Sequence, residues 1–398
     1  MNICFWNMDK KKSALYSEYI IDGVAMELAP ARLLESCLSD RPAVEAAEEG
    51  DFAPILDETI DPDVRPIPTG PEMINTYLKL VRGIKKRSFP KAFPESFTKG
   101  RIALALIDAI WRKGHFRLGD LGLSLSWNWS SVQLGDMACF YSSVQSAVDY
   151  LDMLGLRLKS YSYDETGAGT EFIASCSIME AASDAEETFD GAFDGGASFF
   201  DELPFRTEHP RMGSKKLHPS TIQPDPASWL IYIPFEQCDY RLGASALSQA
   251  VGLSGSLAPQ IIDADYFIDC YEVVRELVED NIILSGATVG DGGLMAALKA
   301  MSSPRAGADV ELADLVASTG ERDIVKLLFA ELPGVIIQIS DNDYDYVDAE
   351  LLLQDVLFFP LGHPIIDSSE VRVHSSEKSG VQVILESIIR SQNSEGED

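Results

Sequence analysis

The chain has 398 residues, of which 46% are hydrophobic, enough for two domains of ordinary size with buried cores. Its 63 Asp and Glu residues outnumber its 32 Lys and Arg residues, which gives a net charge of -31. Such a charge excludes the broad basic surfaces with which proteins bind nucleic acid or an anionic membrane.

The sequence also shows no sign of export or of membrane insertion. No apolar run approaches the roughly 20 residues that span a bilayer. The first 12 residues place their lysines after the apolar residues, unlike a signal peptide. The 6 cysteines are scattered without a CxxC pair, which favours reduced thiols over a disulfide framework or a zinc site. We therefore expect a cytoplasmic protein.

Residues 1–98 form a region that prolines divide into short segments, with one helix predicted over residues 71–86. A basic cluster ends that helix and consists of Arg82, Lys85, Lys86 and Arg87. It could contact a phosphate, although a plain surface role is the interpretation we prefer. The acidic segment at residues 45–51 is read as a solvated face or loop.

Residues 99–180 have the order helix, strand, helix, strand that is typical of an α/β layer. Residues 121–129 alternate Leu and Trp with Ser and Asn, which predicts a half-buried strand. Apolar residues at helical spacing precede and follow this strand. Residues 166–169 are read as a hairpin loop that joins the next strand to residues 171–178.

Periodicity is absent from residues 181–227, which are acidic and glycine-rich and then proline-punctuated. We predict a flexible insertion there. His209 and His218 lack neighbouring His or Cys partners, so no metal site is assigned to them. The polar residues 391–398 are expected to be a disordered tail.

Residues 228–390 read as one α/β domain that begins with an apolar strand at residues 229–234. An apolar stripe over residues 266–278 predicts a helix, and a short strand follows at residues 282–284. The acidic residues 341–346 could hold a cation, but they lack a complete calcium loop, so we favour a loop and helix start. A last strand and a short helix are predicted at residues 371–375 and 381–389.

A glycine-rich turn is the main candidate site. Gly290, Gly292 and Gly293 follow the strand, and a helix begins at about Leu294. Such a turn directs several N–H groups at one point beside a helix N-terminus, where a phosphate or carboxylate binds favourably. The alternative, which the sequence leaves open, is that the glycines only allow a tight turn.

Three phrases of this domain, in this order, resemble the phosphoribosylformylglycinamidine synthase family and the related aminoimidazole ribonucleotide synthetases. Residues 242–249, Leu-Gly-Ala-Ser-Ala-Leu-Ser-Gln, are similar to the family's Leu-Gly-Gly-Ser-Ala-Leu-Ala-Gln. Residues 287–294, Ala-Thr-Val-Gly-Asp-Gly-Gly-Leu, resemble His-Asp-x-Ser-Asp-Gly-Gly-Leu. Residues 328–338 resemble Leu-Phe-Ala-Glu-Glu-x-Gly-x-Val-Ile-Gln. The resemblance covers roughly residues 100–389 apart from residues 181–227, and it is weaker in the upstream half.

The resemblance implies ATP and magnesium as cofactors. Family members use them to activate an amide oxygen, which ammonia from a glutaminase domain then displaces. It also implies a nucleotide or a phosphorylated purine precursor as ligand. A homodimer, or a synthetase or glutaminase partner chain, is the implied partner, with neither nucleic acid nor membrane.

The sequence departs from the family's pattern at several catalytic-type positions. Ala287 and Thr288 replace the family's His-Asp pair, and residues 160–163 replace its Gly-Lys-Asp-Ser phrase, which removes a cation. The family's nucleotide-binding loops have no visible counterpart in residues 1–98, and no glutaminase segment with a nucleophilic Cys is visible.

From these observations we predict an α/β protein with mixed sheets, in which a synthetase C-terminal-like domain packs on a truncated N-terminal α/β layer. The predicted ligand- or phosphate-binding residues are Gly290, Asp291, Gly292, Gly293, Gly243, Ser245 and Gln249, without an assigned catalytic residue or metal ligand. Two functions stay open. One is a partial or degenerate phosphoribosylformylglycinamidine synthase, and the other is a non-catalytic paralogue that binds, assembles or regulates.

Overall fold

A computed structural model describes residues 3–38, 52–167, 169–179 and 219–374. Its helices are α1 (Ile3–Tyr16), α2 (Pro30–Ser36), α3 (Ile74–Gly83), α4 (Pro94–Lys113), α5 (Asp136–Met153), α6 (Ala246–Val251), α7 (Ala264–Glu279), α8 (Gly293–Met301), α9 (Ala313–Thr319), α10 (Ile324–Phe329) and α11 (Tyr344–Leu353). Short 3-10 turns cover Pro71–Met73, Leu118–Asp120 and Asp341–Asp343.

The strands are β1 (Tyr19–Ile21), β2 (Val24–Ala25), β3 (Ile55–Asp57), β4 (Leu121–Trp129), β5 (Arg157–Glu165), β6 (Glu171–Ile178), β7 (Trp229–Pro234), β8 (Ile283–Val289), β9 (Ala306–Glu311), β10 (Gly334–Ile339), β11 (Phe359–Ile366) and β12 (Val371–His374). Several predictions fall outside the described residues. They are the acidic segment at 45–51, the insertion at 181–227 up to residue 218 with His209 and His218, the helix at 381–389 and the tail.

The first region contains a small sheet of order β2-β1-β3, which the sequence did not predict. Asp57 at the end of β3 ties this sheet to the next layer, because its carboxylate accepts hydrogen bonds from the backbone N–H groups of Gly135, Met137 and Ala138. These groups lie at the N-terminus of α5, which has no side-chain cap of its own. Asp57 therefore supplies the anionic cap that this helix end favours.

The predicted α/β layer is present as α4, β4, α5, β5 and β6, and the predicted alternation of β4 is confirmed by its burial. The predicted hairpin is wrong. β5 pairs with β4 in parallel, whereas β6 pairs with the other edge of β4 in antiparallel orientation. The segment between β5 and β6 therefore crosses over β4. The helix α5 occupies the connection from β4 to β5, as a parallel pair requires.

The larger sheet has the order β12-β9-β11-β7-β10-β8 and is antiparallel except for the pair of β9 and β12. Both of its faces are covered. Along β7, Ile231 and Ile233 join one hydrophobic core and Leu230 and Tyr232 join another. This is the period-two alternation of a strand between two layers, and it explains why β7 is apolar throughout.

Helix α4 connects the two larger sheets, which are the six-stranded sheet and the sheet of order β5-β4-β6 with its longer strands. It packs against β6 on one side and against β8 on the other, with Ile102, Leu106, Ile110 and Trp111 fully buried. The hydrophobic core that contains these residues also includes Val335 and Ile337 from β10. The C-terminal unit is thus packed on the smaller N-terminal layer through α4.

All three sheets contain both parallel and antiparallel pairs, which confirms the predicted mixed α/β class. Within the described ranges, no helix combines the length and apolarity needed to cross a membrane.

Candidate functional site

The glycine turn lies between β8 and α8. Buried Val289 ends the strand, and Gly292 and Gly293 both have positive φ, at 83° and 67°. This lets the chain reverse within four residues and begin a helix, as the sequence predicts. The N–H of Gly292 donates to Oε1 of Glu331 over 2.7 Å. A carboxylate of the chain itself therefore accepts a hydrogen bond from the backbone at the N-terminus of α8.

The second loop begins helix α6. Ser245 is its N-cap, and Ser245 Oγ accepts from the N–H of Ser248 at 3.1 Å. The next N–H, that of Ala246, donates to Oε1 of Glu331 over 2.6 Å. The two loops thus converge on one side chain, although they are about 45 residues apart in sequence.

Arg87 completes the environment of this carboxylate. Its Nη2 lies 2.7 Å from Glu331 Oε2 and also donates to the carbonyl of Ala244 at 2.6 Å. Its Nη1 donates to Gln249 Oε1 at 3.3 Å. Only 10% of the Arg87 side chain and 13% of the Glu331 side chain are exposed. The surface role that we prefer for the basic cluster is therefore wrong for Arg87, while Arg82, Lys85 and Lys86 are exposed.

Burial raises the pKa of Glu331 to about 7. The neighbouring Asp291 carboxylate adds to the rise, whereas Arg87 and the N–H groups of Gly292 and Ala246 lower the pKa. A carboxyl group that titrates near neutrality is uncommon and depends on removal from water.

Next to Arg87 the protein has a cavity of about 570 Å³, which we call the arginine cleft. It is bounded by α4, β6 and the glycine turn, and it is lined by Arg87, Arg101 and Arg112 together with Thr288, Gly290 and Asp291. Arg101 lies 2.9 Å from Asp291, Arg112 pairs with Asp108, and Arg87 Nε lies 3.4 Å from Asp291. The acids hold the arginines in place and leave several of their N–H groups for a ligand, since each guanidinium carries five donors.

An aromatic wall lies beside these charges. Phe89, Phe97 and Phe172 line the cleft, and the guanidinium groups of Arg87 and Arg101 lie 5.7 and 5.6 Å from the Phe97 ring centre. Cation–π contact of this kind fixes the orientation of the arginines. The cleft therefore combines charged groups, suited to an anion, with apolar rings beside them, suited to a ring of a ligand.

A smaller hollow of about 240 Å³ lies on the other side of Arg87, and we call it the serine hollow. Its polar lining includes Arg87, Lys91, Ser245, Ser248, Gln249 and Ser254. Most of these groups already have partners. The amide of Gln249, for example, contacts Arg87 and the backbone of Lys86 and Ser88.

The predicted site residues therefore fall into two groups. Gly290 and Asp291 line the arginine cleft, whereas Ser245 and Gln249 line the serine hollow. Gly292 and Gly293 form the turn, and Gly243 lies so close to the backbone of Ser256 and Leu257 that a side chain would collide with it. The loops approach each other, but the Glu331 carboxylate fills the space between them. A ligand-binding role for these residues stays a prediction.

Sequence reasoning missed Arg101, Arg112 and Glu331. The arginines lie on α4, far from the motif phrases in sequence, so no local pattern indicates them. Glu331 did carry a signal, because it is the one charged residue between the apolar residues 327–330 and 332–337. An isolated acid in an otherwise buried run needs a partner, and Arg87 is that partner.

Of the two cofactors implied by the resemblance, ATP fits this site better than magnesium does. Among the side chains that the structure describes, no three His, Cys, Asp or Glu residues are grouped as metal ligands, and Asp291 is already paired with Arg101. These residues do not fit a magnesium ion. The three arginines suit the charge of a phosphate chain. The turn is less suitable, because Glu331 already occupies the Gly292 N–H.

No family model matches the chain. The curated relatives include a probable chloroplastic/mitochondrial phosphoribosylformylglycinamidine synthase of Arabidopsis thaliana, 31% identical over 157 residues, which are 38% of this chain and 11% of that protein. The Homo sapiens phosphoribosylformylglycinamidine synthase is 26% identical over 126 residues, 31% of this chain and 9% of that protein. The chain therefore spans about a tenth of the length of these relatives. The resemblance to this family that the motif phrases predict is therefore confirmed.

Among solved structures, the Thermotoga maritima PurL complexed with FGAR covers 72% of this chain and 41% of its own, with a TM-score of 0.49 and 11% identity. The hydrogenase maturation protein HypE in complex with ATP covers 70% of this chain and 76% of its own, with a TM-score of 0.41 and 14% identity.

Proposed function

We propose that this sequence relative of the phosphoribosylformylglycinamidine synthases binds a phosphorylated purine precursor or a nucleotide in the arginine cleft, and that it acts as a binding or regulatory subunit without catalysing amination. The observation that carries the proposal is the cleft itself. Three arginines and an aromatic wall meet beside the glycine turn, in a protein whose net charge is -31.

Charge supports an anionic ligand. An acidic protein repels phosphates over most of its surface, whereas three guanidinium groups line this pocket and balance its three carboxylates, Asp108, Glu171 and Asp291. Arg101 and Arg112 are held by Asp291 and Asp108 of the cleft lining, which orient them before a ligand arrives. Preorganised donors lose little conformational entropy on binding, and guanidinium groups match the geometry of phosphate.

The shape of the cleft supports a ligand that also carries a ring. Its volume of about 570 Å³ is in the ordinary range for small-molecule sites. Phe89, Phe97 and Phe172 supply apolar lining beside the charges. A phosphorylated nucleoside or a ribonucleotide precursor presents both features, whereas inorganic phosphate uses only one side of the cleft.

The residues at the turn do not favour catalysis. Ala287 and Thr288 stand where the resembling family has its His-Asp pair, and the Thr288 hydroxyl accepts a hydrogen bond from Trp111 at 3.1 Å. Neither side chain titrates near neutral pH, so neither can transfer a proton as general acid–base catalysis requires. Asp291 is neutralised by Arg101 and Arg87.

The domain division belongs to the same proposal. We assign residues 99–180 to a partial synthetase-like layer and residues 228–390 to a synthetase C-terminal-like domain, with the cleft between them. Residues 1–98, the insertion at 181–227 and the tail at 391–398 are additions to this pair. A second copy of the chain, or a synthetase or glutaminase chain, is the proposed partner.

The test is ligand binding by the full chain, measured by calorimetry and thermal stabilisation with AMP, ribose 5-phosphate, ATP and adenosine. We expect the phosphorylated compounds to bind and adenosine to bind far more weakly. Arg101→Gln and Arg112→Gln should each weaken binding at least about tenfold, because a charge-assisted hydrogen bond contributes roughly 1.5–3 kcal/mol. Arg372→Gln is the matched control, since Arg372 is on β12 at the opposite edge of the sheet.

Absence of binding by all four compounds, or an equal loss in the Arg372 variant, would contradict the binding role. A separate assay decides the catalytic question. Phosphate release from ATP in the presence of formylglycinamide ribonucleotide and ammonia would instead support the alternative function, a working ligase.

A further inference from the structure

The Glu331 carboxylate is held as a bound anion would be. Two backbone N–H groups, from the starts of α6 and α8, converge on Oε1, and a guanidinium donates to Oε2. These are the donors that proteins use to bind phosphate or carboxylate ligands. Here the side chain arrives from the loop after α10, so the chain fills its own anion position.

Arg87 is shared between this carboxylate and the arginine cleft. It lines the cleft, yet it is held towards Glu331 and the carbonyl of Ala244. Its Nε is buried, lies 3.4 Å from Asp291 Oδ1 and has no hydrogen-bond partner among the described residues. Arg87 therefore retains a donor without a hydrogen bond while its charge is balanced mainly by Glu331.

The groups that face Glu331 are few. Arg87 contacts it from the segment after α3, and the Asp291 carboxylate faces it from the glycine turn. The loop before α6 contributes the Ala246 N–H. Ionised Glu331 neutralises Arg87, whereas protonated Glu331 leaves Arg87 at the wall of the cleft with only the Asp291 carboxylate, 3.4 Å from its Nε, as a counter-charge.

We infer that Glu331 is the positioning residue of the arginine cleft. When ionised, it holds Arg87 away from an anionic ligand, and when protonated, it releases Arg87 to donate to that ligand. This inference rests on the proposed anion-binding function. It makes the affinity of the cleft dependent on pH even for a ligand whose own charge does not change.

The direction of the dependence follows from the raised pKa. With a pKa of about 7, Glu331 is mostly protonated at pH 6 and only about one-tenth protonated at pH 8. The apparent affinity scales with the population of the competent form, so binding should weaken about tenfold between these pH values. Affinity is thus present below neutrality and lost as the pH rises through the pKa of Glu331.

Sulfate is the probe for this test, because it keeps two charges throughout the range. We would titrate the full chain with sulfate at pH 6 and pH 8, at constant ionic strength, by calorimetry. We expect the wild type to bind about tenfold more weakly at pH 8. Glu331→Gln should bind equally at both pH values, and at least as tightly as the wild type at pH 6.

The control is Glu321→Gln. Glu321 pairs with Lys326 and lines a different cavity of about 800 Å³, so this variant should keep the wild-type pH dependence. Equal wild-type affinity at both pH values, or a pH dependence that survives in Glu331→Gln, would overturn the role of Glu331. The proposed anion-binding function would still stand. Absence of sulfate binding in both proteins would overturn the anion site and the proposed function with it.

A second measurement needs no variant. If binding requires protonated Glu331, the wild type must take up protons when sulfate binds at pH 7.5. Calorimetry in buffers of different ionisation enthalpy should then give about three quarters of a proton per sulfate, given a pKa of about 7. Binding without proton uptake would contradict the inference even if Glu331→Gln did not fold.

Discussion

Ala244 is the residue whose backbone conformation is least suited to its side chain. Its φ is +62°, in the left-handed region, whereas the other non-glycine residues with positive φ in the described part of the chain are Asp22, Asn281, Asp355 and Asp367, of types that tolerate it. The related family has glycine at this position of the phrase at residues 242–249. The conformation is retained because the carbonyl of Ala244 accepts from Arg87 and the next residue, Ser245, caps α6.

We predict that Ala244→Gly stabilises the protein by about 0.5–1 kcal/mol. Glycine removes a left-handed penalty of roughly 1–2 kcal/mol and adds roughly 0.5–1 kcal/mol of backbone entropy to the unfolded chain. Urea denaturation measures the difference. The control is Ala296→Gly in the middle of α8, which should instead lose about 1 kcal/mol. A loss of stability in both variants would show that Ala244 is not strained.

For individual residues, the sequence predicted the positions of the motif residues and missed the residues that contact them. Gly290 and Asp291 were chosen because a glycine-rich turn has a local signature. Arg101 and Arg112 have none, since their relevance comes from α4 crossing the end of β8. The same limit explains Glu331. Its isolation in an apolar run indicates a buried partner, but nothing in the sequence identifies that partner as Arg87.

Among the elements, the N-terminus of α8 is determined by close packing as much as by any ligand. A Cβ on Gly293 would lie 2.6 Å from the carbonyl oxygen of Leu328 and 2.7 Å from that of Ala330. The start of α8 thus packs directly on the backbone at the end of α10. Gly293 is needed for that approach whether or not the turn binds an anion, which supports the structural interpretation of this glycine.

We predict that Gly293→Ala destabilises the protein by at least about 2 kcal/mol, because alanine at φ +67° is strained and its methyl group collides with backbone that cannot move alone. The measurement is the urea midpoint. Gly83→Ala at the end of α3 is the control, since a Cβ there meets nothing within 4 Å. It should be neutral or stabilising, and a similar loss in both variants would contradict the packing argument.

Elements with a clear period were predicted well, and their pairing was not. The apolar stripe over residues 266–278 corresponds to α7, and the alternation of Leu and Trp corresponds to β4. The hairpin between β5 and β6 was wrong because a short glycine-containing segment suits a tight turn and a crossover alike. What decides is that β6 pairs with the free edge of β4, and this contact between distant residues leaves no local pattern.

Across the whole molecule, one continuous core joins the two larger sheets. It includes Leu123 and Trp127 of β4, Trp111 of α4 and Ile337 of β10. Trp111 is central to this contact because its ring packs where Gly286 leaves room on β8, and its Nε1 donates to Thr288. The arginine cleft lies in the same junction, so its geometry depends on α4 keeping its position on both sheets.

We predict that Trp111→Ala destabilises the protein by about 3–5 kcal/mol, the usual cost of removing a buried tryptophan side chain. Because the core is continuous through α4, the loss should appear in both sheets together. Hydrogen exchange measures this directly, and amide protection should fall by a similar amount in β4 and β10. The cleft should lose ligand affinity as well, since Arg101 and Arg112 lie on the same helix.

The control for this prediction is Leu353→Ala, at a side chain that is 78% exposed at the end of α11, which should leave protection in both sheets unchanged. If Trp111→Ala lowered protection in β10 while β4 kept its full protection, the two sheets would belong to separate folding units. The arginine cleft would then be an interface between independent domains, and closure of that interface would contribute to ligand affinity. Equal losses mean that α4 and both sheets unfold as one unit, so Arg101 and Arg112 keep their positions on that helix as long as the core is folded.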